Sequence, residues 1–258
     1  MENALPATVF LVGAGPGDPE LLTLRAARLI GGADVIVHDG LVSREILALA
    51  PDDADLISVA KQRSRHSMPQ EAINALLVDL AREGRKVVRL KGGDPFIFGR
   101  GGEEVEACRA AGVPVEVVPG ISAAIGAAAQ AQLPLTHRDA ASAVTFVAGQ
   151  CKGLSEQDWS GLAGHGRTLV IYMGVATAAD IADKLIADGV SPAMPVAVIE
   201  NGTRADARIL RTLLTDLGEM VARETVKSPA LIVVGDVASH AIARDVLAAW
   251  TAQGETIG

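Results

Sequence analysis

Residues 9–18 read VFLVGAGPGD, an apolar run followed by a loop with three glycines. Apolar residues then recur at helical spacing, at Leu21, Leu24, Ala27 and Leu29. The stretch therefore predicts a strand, a glycine-rich loop and a helix, in that order. This order is typical of a parallel sheet, in which ligands bind at the carboxyl ends of the strands.

The same alternation continues through the first half of the chain. Four further apolar runs have the length of strands: Val35–His38, Leu56–Val59, Val87–Leu90 and Val115–Val118. Between them, Ser43 is predicted to cap a helix that ends near Ala50. Ser67 and Gln70 form a capping-box pattern for a longer helix, with Pro69 in its first turn. We therefore predict an α/β fold with a mostly parallel sheet and helices on both faces.

A second α/β unit is predicted in the other half of the chain. An alanine-rich stretch, Ile121–Leu135, is interpreted as a buried helix, and Pro134 as a domain boundary. The predicted domains are therefore residues 1–133 and 134–258. Five strands of the second domain are predicted near Val144–Ala148, Leu169–Met173, Val196–Glu200, Ile209–Leu210 and Leu231–Val234.

The composition excludes several classes of protein. Of 258 residues, 49% are hydrophobic, which excludes a disordered or fibrous chain. A net charge of −8 and few aromatic residues argue against nucleic-acid binding. The sequence shows neither a signal-peptide pattern nor an apolar run of about 18 residues, so we expect a cytoplasmic protein that does not bind membranes. Two cysteines are too few for a disulfide framework or a zinc site.

The glycine loop has two interpretations. Glycines after a strand let backbone N–H groups approach a dinucleotide, but Asp18 stands where the third glycine of that fingerprint falls. Pro16 also removes a backbone donor. Asp39 follows the second strand at a distance that suits a ribose ligand. A nicotinamide site and a purely structural turn both remain open at this point.

Residues 89–104, RLKGGDPFIFGRGGEE, are the densest group of functional residue types in the chain. Paired glycines, an aspartate and a proline predict a loop that brings backbone amides and one carboxylate to a ligand. Arg100, between glycines, has room to bind an anion. From Lys61 to Arg100 there are nine basic and four acidic residues, which suggests a small polyanionic ligand. A solvated helix face with ordinary loop charges is the alternative.

Together these motifs resemble the tetrapyrrole methylase family, and within it the uroporphyrinogen-III C-methyltransferase branch. The resemblance runs from about Val9 to His240, and residues 89–104 with Thr136–Asp139 are its most specific part. Its other motifs are Gly13–Asp18, Asp39–Ser43, Val59–Lys61, Val118–Ile121, Tyr172–Gly174 and Glu200–Thr203.

The resemblance implies two α/β domains, the second with a mixed sheet, and a ligand cleft between them. It implies S-adenosylmethionine as methyl donor, leaving as S-adenosylhomocysteine. Asp39 is the implied proton acceptor and Lys61 the donor. Arg100, with Glu103 beside it, and Arg138 match substrate-binding positions, to which we add Arg63 and Arg65 from the local charge. The implied cofactor-binding residues are Pro16, Gly92, Gly93, Asp94, Ile97, Ser122, Ala123, Met173 and Gly202.

The activity implied by the resemblance is methylation of uroporphyrinogen III at C2 and C7, which gives precorrin-2 by way of precorrin-1 for sirohaem or cobalamin. The resemblance also implies a homodimer, with no metal or flavin. The chain departs from the family pattern at Gln150, where relatives often carry histidine, and at Gly40, where they often carry arginine. The alternatives are a later precorrin C-methyltransferase, a nicotinamide-dependent oxidoreductase and a non-catalytic tetrapyrrole-binding protein.

Overall fold

A computed structural model describes residues 7–60, 68–150 and 157–242 of the chain. The backbone contacts divide it into two compact units, with the division between Ala123 and Ala124. This division falls at the start of the alanine-rich helix, whereas the boundary predicted at Pro134 falls after it. Each unit contains one five-stranded sheet, so the prediction of two α/β units is confirmed.

The first sheet is parallel throughout. Its strands are β1 (Val9–Gly13), β2 (Val35–His38), β3 (Asp55–Ser58), β4 (Val87–Lys91) and β5 (Val115–Val118). They lie in the order β3-β2-β4-β1-β5, and every neighbouring pair is parallel. The carboxyl ends of all five strands therefore lie at one edge of the sheet, as the repeated strand, loop and helix pattern predicts.

Helices cover both faces of this sheet. They are α1 (Leu24–Ile30), α2 (Arg44–Leu47), α3 (Gln70–Arg82) and α4 (Gly101–Ala110). Val88 and Leu90 pack with α1 and α2 in one buried cluster. Val87, which points to the opposite face, packs in a second cluster with Leu77 of α3 and Cys108 of α4. Side chains alternate along a strand, and β4 therefore supplies both cores.

The first helix begins later than its apolar spacing predicts. Asp18 caps a separate 3₁₀ turn, Pro19–Leu21, instead of lying in a loop that continues into one long helix. Thr23 then has an extended backbone, and its Oγ1 accepts the N–H of Ala26 at 3.1 Å. This side-chain cap starts α1 at Leu24.

Two other helix predictions are corrected in part. Ser43 does cap α2, but the helix ends at Leu47 because the N–H groups of Leu49 and Ala50 bond three residues back instead of four. Pro69 is the N-cap of α3, with an extended backbone, and does not lie in its first turn. Ser67, the other half of the predicted capping box, lies outside the described residues.

The second sheet is mixed, as the resemblance implies. It is built from β6 (Ala141–Ala148), β7 (Gly166–Tyr172), β8 (Pro195–Glu200), β9 (Arg208–Leu213) and β10 (Ala230–Val234). The order is β6-β7-β10-β8-β9, in which only β6 and β7 are parallel neighbours. Since β10 is antiparallel to both β7 and β8, the carboxyl ends of β6, β7 and β8 share one edge. Helices α6 (Ala178–Ala187) and α7 (Leu217–Arg223) pack on one face.

The alanine-rich helix α5 (Ala123–Gln130) is held by the second unit. The N–H of Ala124 donates to the Tyr172 hydroxyl at 3.0 Å, and Gln130 Oε1 accepts the N–H of Thr203 at 2.6 Å. Contacts at both ends of the helix therefore explain why all of it after Ala123 belongs to the second unit. Within the described ranges, none of the helices is both long enough and apolar enough to cross a membrane.

Candidate functional site

Three glycines bring the loops after β1, β4 and β5 into direct backbone contact. A Cβ on Gly13 would stand 2.5 Å from the Gly120 nitrogen and 2.7 Å from the Gly93 oxygen. A Cβ on Gly120 would stand 2.3 Å from the same Gly93 oxygen. These distances are far below van der Waals contact, so no other residue fits at either position. The glycines that predict backbone approach to a ligand thus also serve the approach of the loops to one another.

The first glycine loop is fastened to the loop after β4 by backbone hydrogen bonds. Gly15 and Gly93 exchange two of them, at 3.1 and 2.7 Å, and the N–H of Ala14 donates to the Lys91 carbonyl at 2.7 Å. Pro16 is half-buried at the turn of this loop. Asp18 uses Oδ1 to accept the Glu20 N–H at 2.8 Å, which is the cap described above. Its carboxylate is therefore a local structural group.

Asp94 connects the loop after β4 to the loop after β5. Its Oδ1 accepts the N–H of Phe96 at 2.9 Å and its Oδ2 accepts the N–H of Gly120 at 3.1 Å. The neighbouring Gly92 lies against Leu41, because a Cβ on Gly92 would stand 2.8 Å from the Leu41 Cβ. Ile97 projects an exposed apolar side chain from the same loop. The loop thus offers backbone and apolar surface to a ligand, with the Asp94 carboxylate holding its shape.

A group of charged side chains is buried beneath this edge of the sheet. Arg89 and Lys91 project from β4 and Glu104 from α4, and each is at most 2% exposed. Glu104 Oε1 accepts from Arg89 Nε and Lys91 Nζ, both at 3.0 Å, and from Gln70 Nε2 at 3.2 Å. Arg89 Nη2 donates to Asp39 Oδ1 at 2.5 Å. Two cations therefore balance two carboxylates.

Asp39 is the member of this charged group that reaches solvent. It follows β2 at the carboxyl edge, and 30% of its side chain is exposed. Its Oδ2 lies 3.9 Å from Lys91 Nζ, which is beyond hydrogen-bonding distance. Burial lowers the pKa of Lys91; the Arg89 cation acts in the same direction, and the carboxylates of Asp39 and Glu104 oppose it.

Sequence reasoning assigned no role to Arg89, Lys91 or Glu104, although all three lie in the quoted block of residues 89–104. One signal could have found them. Residues two apart in a strand point to the same face, so Arg89 and Lys91 place two cations on one side of a central, otherwise apolar strand. Buried cations need a buried partner, and Glu104 is an acid that the following helix can supply.

Arg100 lies at the end of the loop after β4 and is the N-cap residue of α4, with a left-handed backbone (φ 57°). Its guanidinium donates to both carboxylate oxygens of Glu103, at 2.8 and 2.7 Å. This hydrogen bond raises the pKa of Arg100 and lowers the pKa of Glu103. Both side chains are exposed, so the predicted anion-binding arginine is presented to solvent in a fixed orientation.

In the second unit, two of the predicted residues come after strands that end at the same edge of the sheet. Met173 comes directly after β7, with a left-handed backbone (φ 55°) and a side chain that is 49% exposed. Gly202 follows β8 and lies against α5, because a Cβ there would stand 2.6 Å from the Ala127 Cβ. Arg138 is exposed in a turn that is closed by backbone hydrogen bonds between His137 and Ala141, both at 2.9 Å.

The structure therefore brings some of the predicted site residues together and not others. The first unit gathers Asp39, Gly92, Gly93 and Asp94 with Pro16 at one sheet edge, and the second unit brings Met173 and Gly202 to the edge of its own sheet. Ser122 is buried just before α5, whose first residue is Ala123. Lys61, Arg63 and Arg65 lie outside the described residues.

Comparison with known proteins agrees with this architecture. Residues 8–218 match the sequence model of the Tetrapyrrole (Corrin/Porphyrin) Methylases. A siroheme synthase of Methylococcus capsulatus is 54% identical over 253 residues, which are 97% of this chain and 53% of that protein. The chain spans about half the length of the curated relatives it matches.

Solved structures extend the likeness to the fold. A uroporphyrin-III C-methyl transferase from Thermus thermophilus, complexed with S-adenyl homocysteine, is 40% identical, with a TM-score of 0.78 over 90% of this chain and 93% of that one. A cobalt precorrin-4 methyltransferase is 28% identical, with a TM-score of 0.80 over 90% of this chain and 95% of that one. The resemblance inferred from the motifs is confirmed, and this chain belongs to the tetrapyrrole methylases.

Proposed function

We propose that this protein transfers methyl groups from S-adenosylmethionine to C2 and C7 of uroporphyrinogen III, giving precorrin-2 by way of precorrin-1. The observation that carries the proposal is the 40% identity, across 90% of the chain, to a uroporphyrin-III C-methyl transferase bound to S-adenyl homocysteine. The cobalt precorrin-4 enzyme has the same fold but lower identity. The product would feed sirohaem or cobalamin synthesis.

The residues at the sheet edges suit S-adenosylmethionine. Gly92 and Gly93 are half-buried and carry no side chain, and Ile97 and Met173 each present an exposed apolar side chain. S-adenosylmethionine supplies an electrophilic methyl group on its sulfonium and leaves as S-adenosylhomocysteine. We infer that the residues in contact with it are Pro16, Gly92, Gly93, Asp94, Ile97, Ser122, Ala123, Met173 and Gly202.

The chain's own residues would mainly position the substrate and take up a proton. A new bond joins the pyrrole carbon to the methyl carbon, the bond from methyl to sulfur breaks with its electron pair on sulfur, and a proton leaves the methylated macrocycle. We assign that proton to Asp39, whose carboxylate is partly exposed at the sheet edge. Alignment of carbon, methyl and sulfur supplies the remaining rate enhancement.

The eight carboxylates of the macrocycle require cations at its periphery. Arg100, which Glu103 holds in an exposed orientation, and Arg138, at the tip of an exposed turn, are the described residues that we assign to them. Lys61 as a proton donor, and Arg63 and Arg65 as further substrate contacts, complete the proposal from outside the described ranges. We also propose a cytoplasmic homodimer that binds neither nucleic acid nor membrane and needs no metal.

Replacement of Asp39 tests the assignment of the proton acceptor. Asp39→Asn keeps the shape of the side chain and removes the acceptor, so single-turnover methylation should fall about 10²–10⁴-fold while affinity for S-adenosylmethionine survives. Asp79→Asn, an exposed change on α3, is the matched control. Unchanged turnover in Asp39→Asn would remove this residue from catalysis.

Ligand titration tests the proposal as a whole. Calorimetry should show binding of S-adenosylmethionine and none of NADH. Incubation with uroporphyrinogen III should then give a dimethylated product that oxidises to a coloured form. Binding of NADH alone would favour the oxidoreductase, methylation of a later precorrin but not of uroporphyrinogen III would favour the related methylase, and macrocycle binding without turnover would favour a binding protein.

A further inference from the structure

Arg89 is anchored by three different segments of the first unit. Its Nε donates to Glu104 on α4, its Nη1 lies 3.3 Å from the Val37 carbonyl on β2, and its Nη2 donates to Asp39 at 2.5 Å. A guanidinium has its donors in one rigid plane, so these contacts fix its orientation. The side chain is 2% exposed and has no room to turn.

The contact with Arg89 makes the two oxygens of Asp39 different. Oδ1 accepts the short hydrogen bond from Nη2. Oδ2 accepts no hydrogen bond from any residue that the structure describes, and Lys91 Nζ is 3.9 Å away from it. Oδ1 is thus held by Arg89 of β4, and the lone pairs of Oδ2 remain available to a proton donor from solvent.

Packing alone does not explain this charged group. Burial of an ion pair is generally no more stabilising than apolar side chains of the same volume. Glu104 Oε2 is buried and has no hydrogen-bond partner among the described residues, which adds a further cost. This buried charged group lowers stability and binds Asp39 directly, so holding Asp39 in place would account for it.

We propose that Arg89 is a positioning residue, which fixes Oδ1 of Asp39 and leaves Oδ2 as the oxygen that receives the proton from the methylated macrocycle. Glu104 acts one step further away, by holding Arg89 Nε. This inference rests on the proposed function, because it assigns a role within the proton transfer at Asp39.

A double-mutant cycle on methyl transfer tests the inference. Single-turnover rates are measured for the wild type, Arg89→Gln, Asp39→Asn and the double variant, each saturated with S-adenosylmethionine and uroporphyrinogen III. Arg89→Gln should lower the rate at least about 10-fold in the wild type and less than about twofold in Asp39→Asn, because its effect passes through Asp39. The affinities of Arg89→Gln for S-adenosylmethionine and for uroporphyrinogen III should stay within about twofold of the wild-type values. The exposed Arg82→Gln is the control.

Equal losses in both backgrounds would show a general structural role and overturn the inference while the proposed function stands. A wild type that does not methylate uroporphyrinogen III would overturn both. If Arg89→Gln does not fold, Glu104→Gln replaces it in the same cycle, since the amide keeps the volume and weakens the hold on Nε. The loss should then be smaller and again confined to proteins that contain Asp39.

Discussion

The Asp94 carboxylate accepts the backbone N–H of Gly120 at 3.1 Å, so one side chain spans the loops that follow β4 and β5. The two strands are not neighbours, because β1 lies between them. The same carboxylate also accepts the N–H of Phe96 within its own loop. Asp94 therefore holds together a part of the sheet edge that the strand ladder does not connect.

Replacement of Asp94 should loosen this edge. Asp94→Asn retains one acceptor oxygen and replaces the other by an NH₂ group, which cannot accept the second N–H. The free energy of unfolding in urea should fall by about 1–3 kcal/mol. Asp183→Asn, an exposed change on α6, should leave it within about 0.5 kcal/mol. Equal stability of the two variants would mean that the loops are held without Asp94.

A side chain at Gly120 should be costly. The Cβ of Gly120→Ala would stand 2.3 Å from the Gly93 oxygen, which is backbone and cannot turn aside. We expect a loss of about 1–3 kcal/mol in the free energy of unfolding. Gly102→Ala is the matched control, because Gly102 lies in α4 with nothing within 4 Å of an added Cβ. That variant should gain about 0.5–1 kcal/mol. A stable Gly120→Ala would contradict the close approach of these loops.

Arg100 should contribute to binding of the macrocycle and not of the methyl donor. Arg100→Ala removes a guanidinium that the Glu103 carboxylate orients. The loss of a charge-assisted contact should make the free energy of uroporphyrinogen III binding less favourable by about 1.5–3 kcal/mol. Separate titrations with the two ligands measure this. Arg109→Ala, exposed in the last turn of the same helix, should change neither affinity. Loss of donor binding alone would reverse the assignment.

Cys108 should react only when the protein unfolds. Burial raises the pKa of its thiol, and the Glu104 carboxylate adds to the effect. In a Cys151→Ser background, alkylation of the native protein should be more than about 100-fold slower than in urea. Fast alkylation under native conditions would contradict the burial of Cys108.

The raised pKa of the Cys108 thiol also makes the stability of the protein depend on pH. The unfolded thiol loses its proton first as the pH rises past its ordinary pKa, so the unfolded state binds fewer protons and stability falls. Cys108→Ala should lack this alkaline decline in the free energy of unfolding. An identical decline in wild type and variant would show that other groups cause it.

The architecture was predictable because short apolar runs alternate along the chain with segments that contain glycine or proline. The residues at which helices begin were harder to predict. Leu21 has the spacing of α1, but Asp18 and Thr23 each cap a separate segment, and spacing alone does not show which cap begins the helix. The contacts of α5 with Tyr172 and Thr203 were not predictable, because these partners are distant in sequence.

Sequence reasoning can single out a residue whose type suits a ligand, such as Arg100 for an anion, and that assignment stays a prediction. The site was not predictable where one residue serves another. Gly13 and Gly120 are glycines because their loops touch, which becomes visible only when β1 and β5 are side by side. The contact between Arg89 and Asp39 likewise depends on the pairing of β2 with β4, which sequence order does not reveal.

The position of β4 also bears on how the protein is made. Val87 pairs with both Val9 and Val35, so β4 separates β1 from β2 and joins the two sides of the first sheet. As a ribosome extends the chain, β1 emerges first and has no partner strand until residues 87–91 follow it. Apolar strand edges that wait for distant partners are where nascent chains aggregate. Synthesis of β4 is therefore the step that gives β1 its first partner, and β5 then covers its other edge.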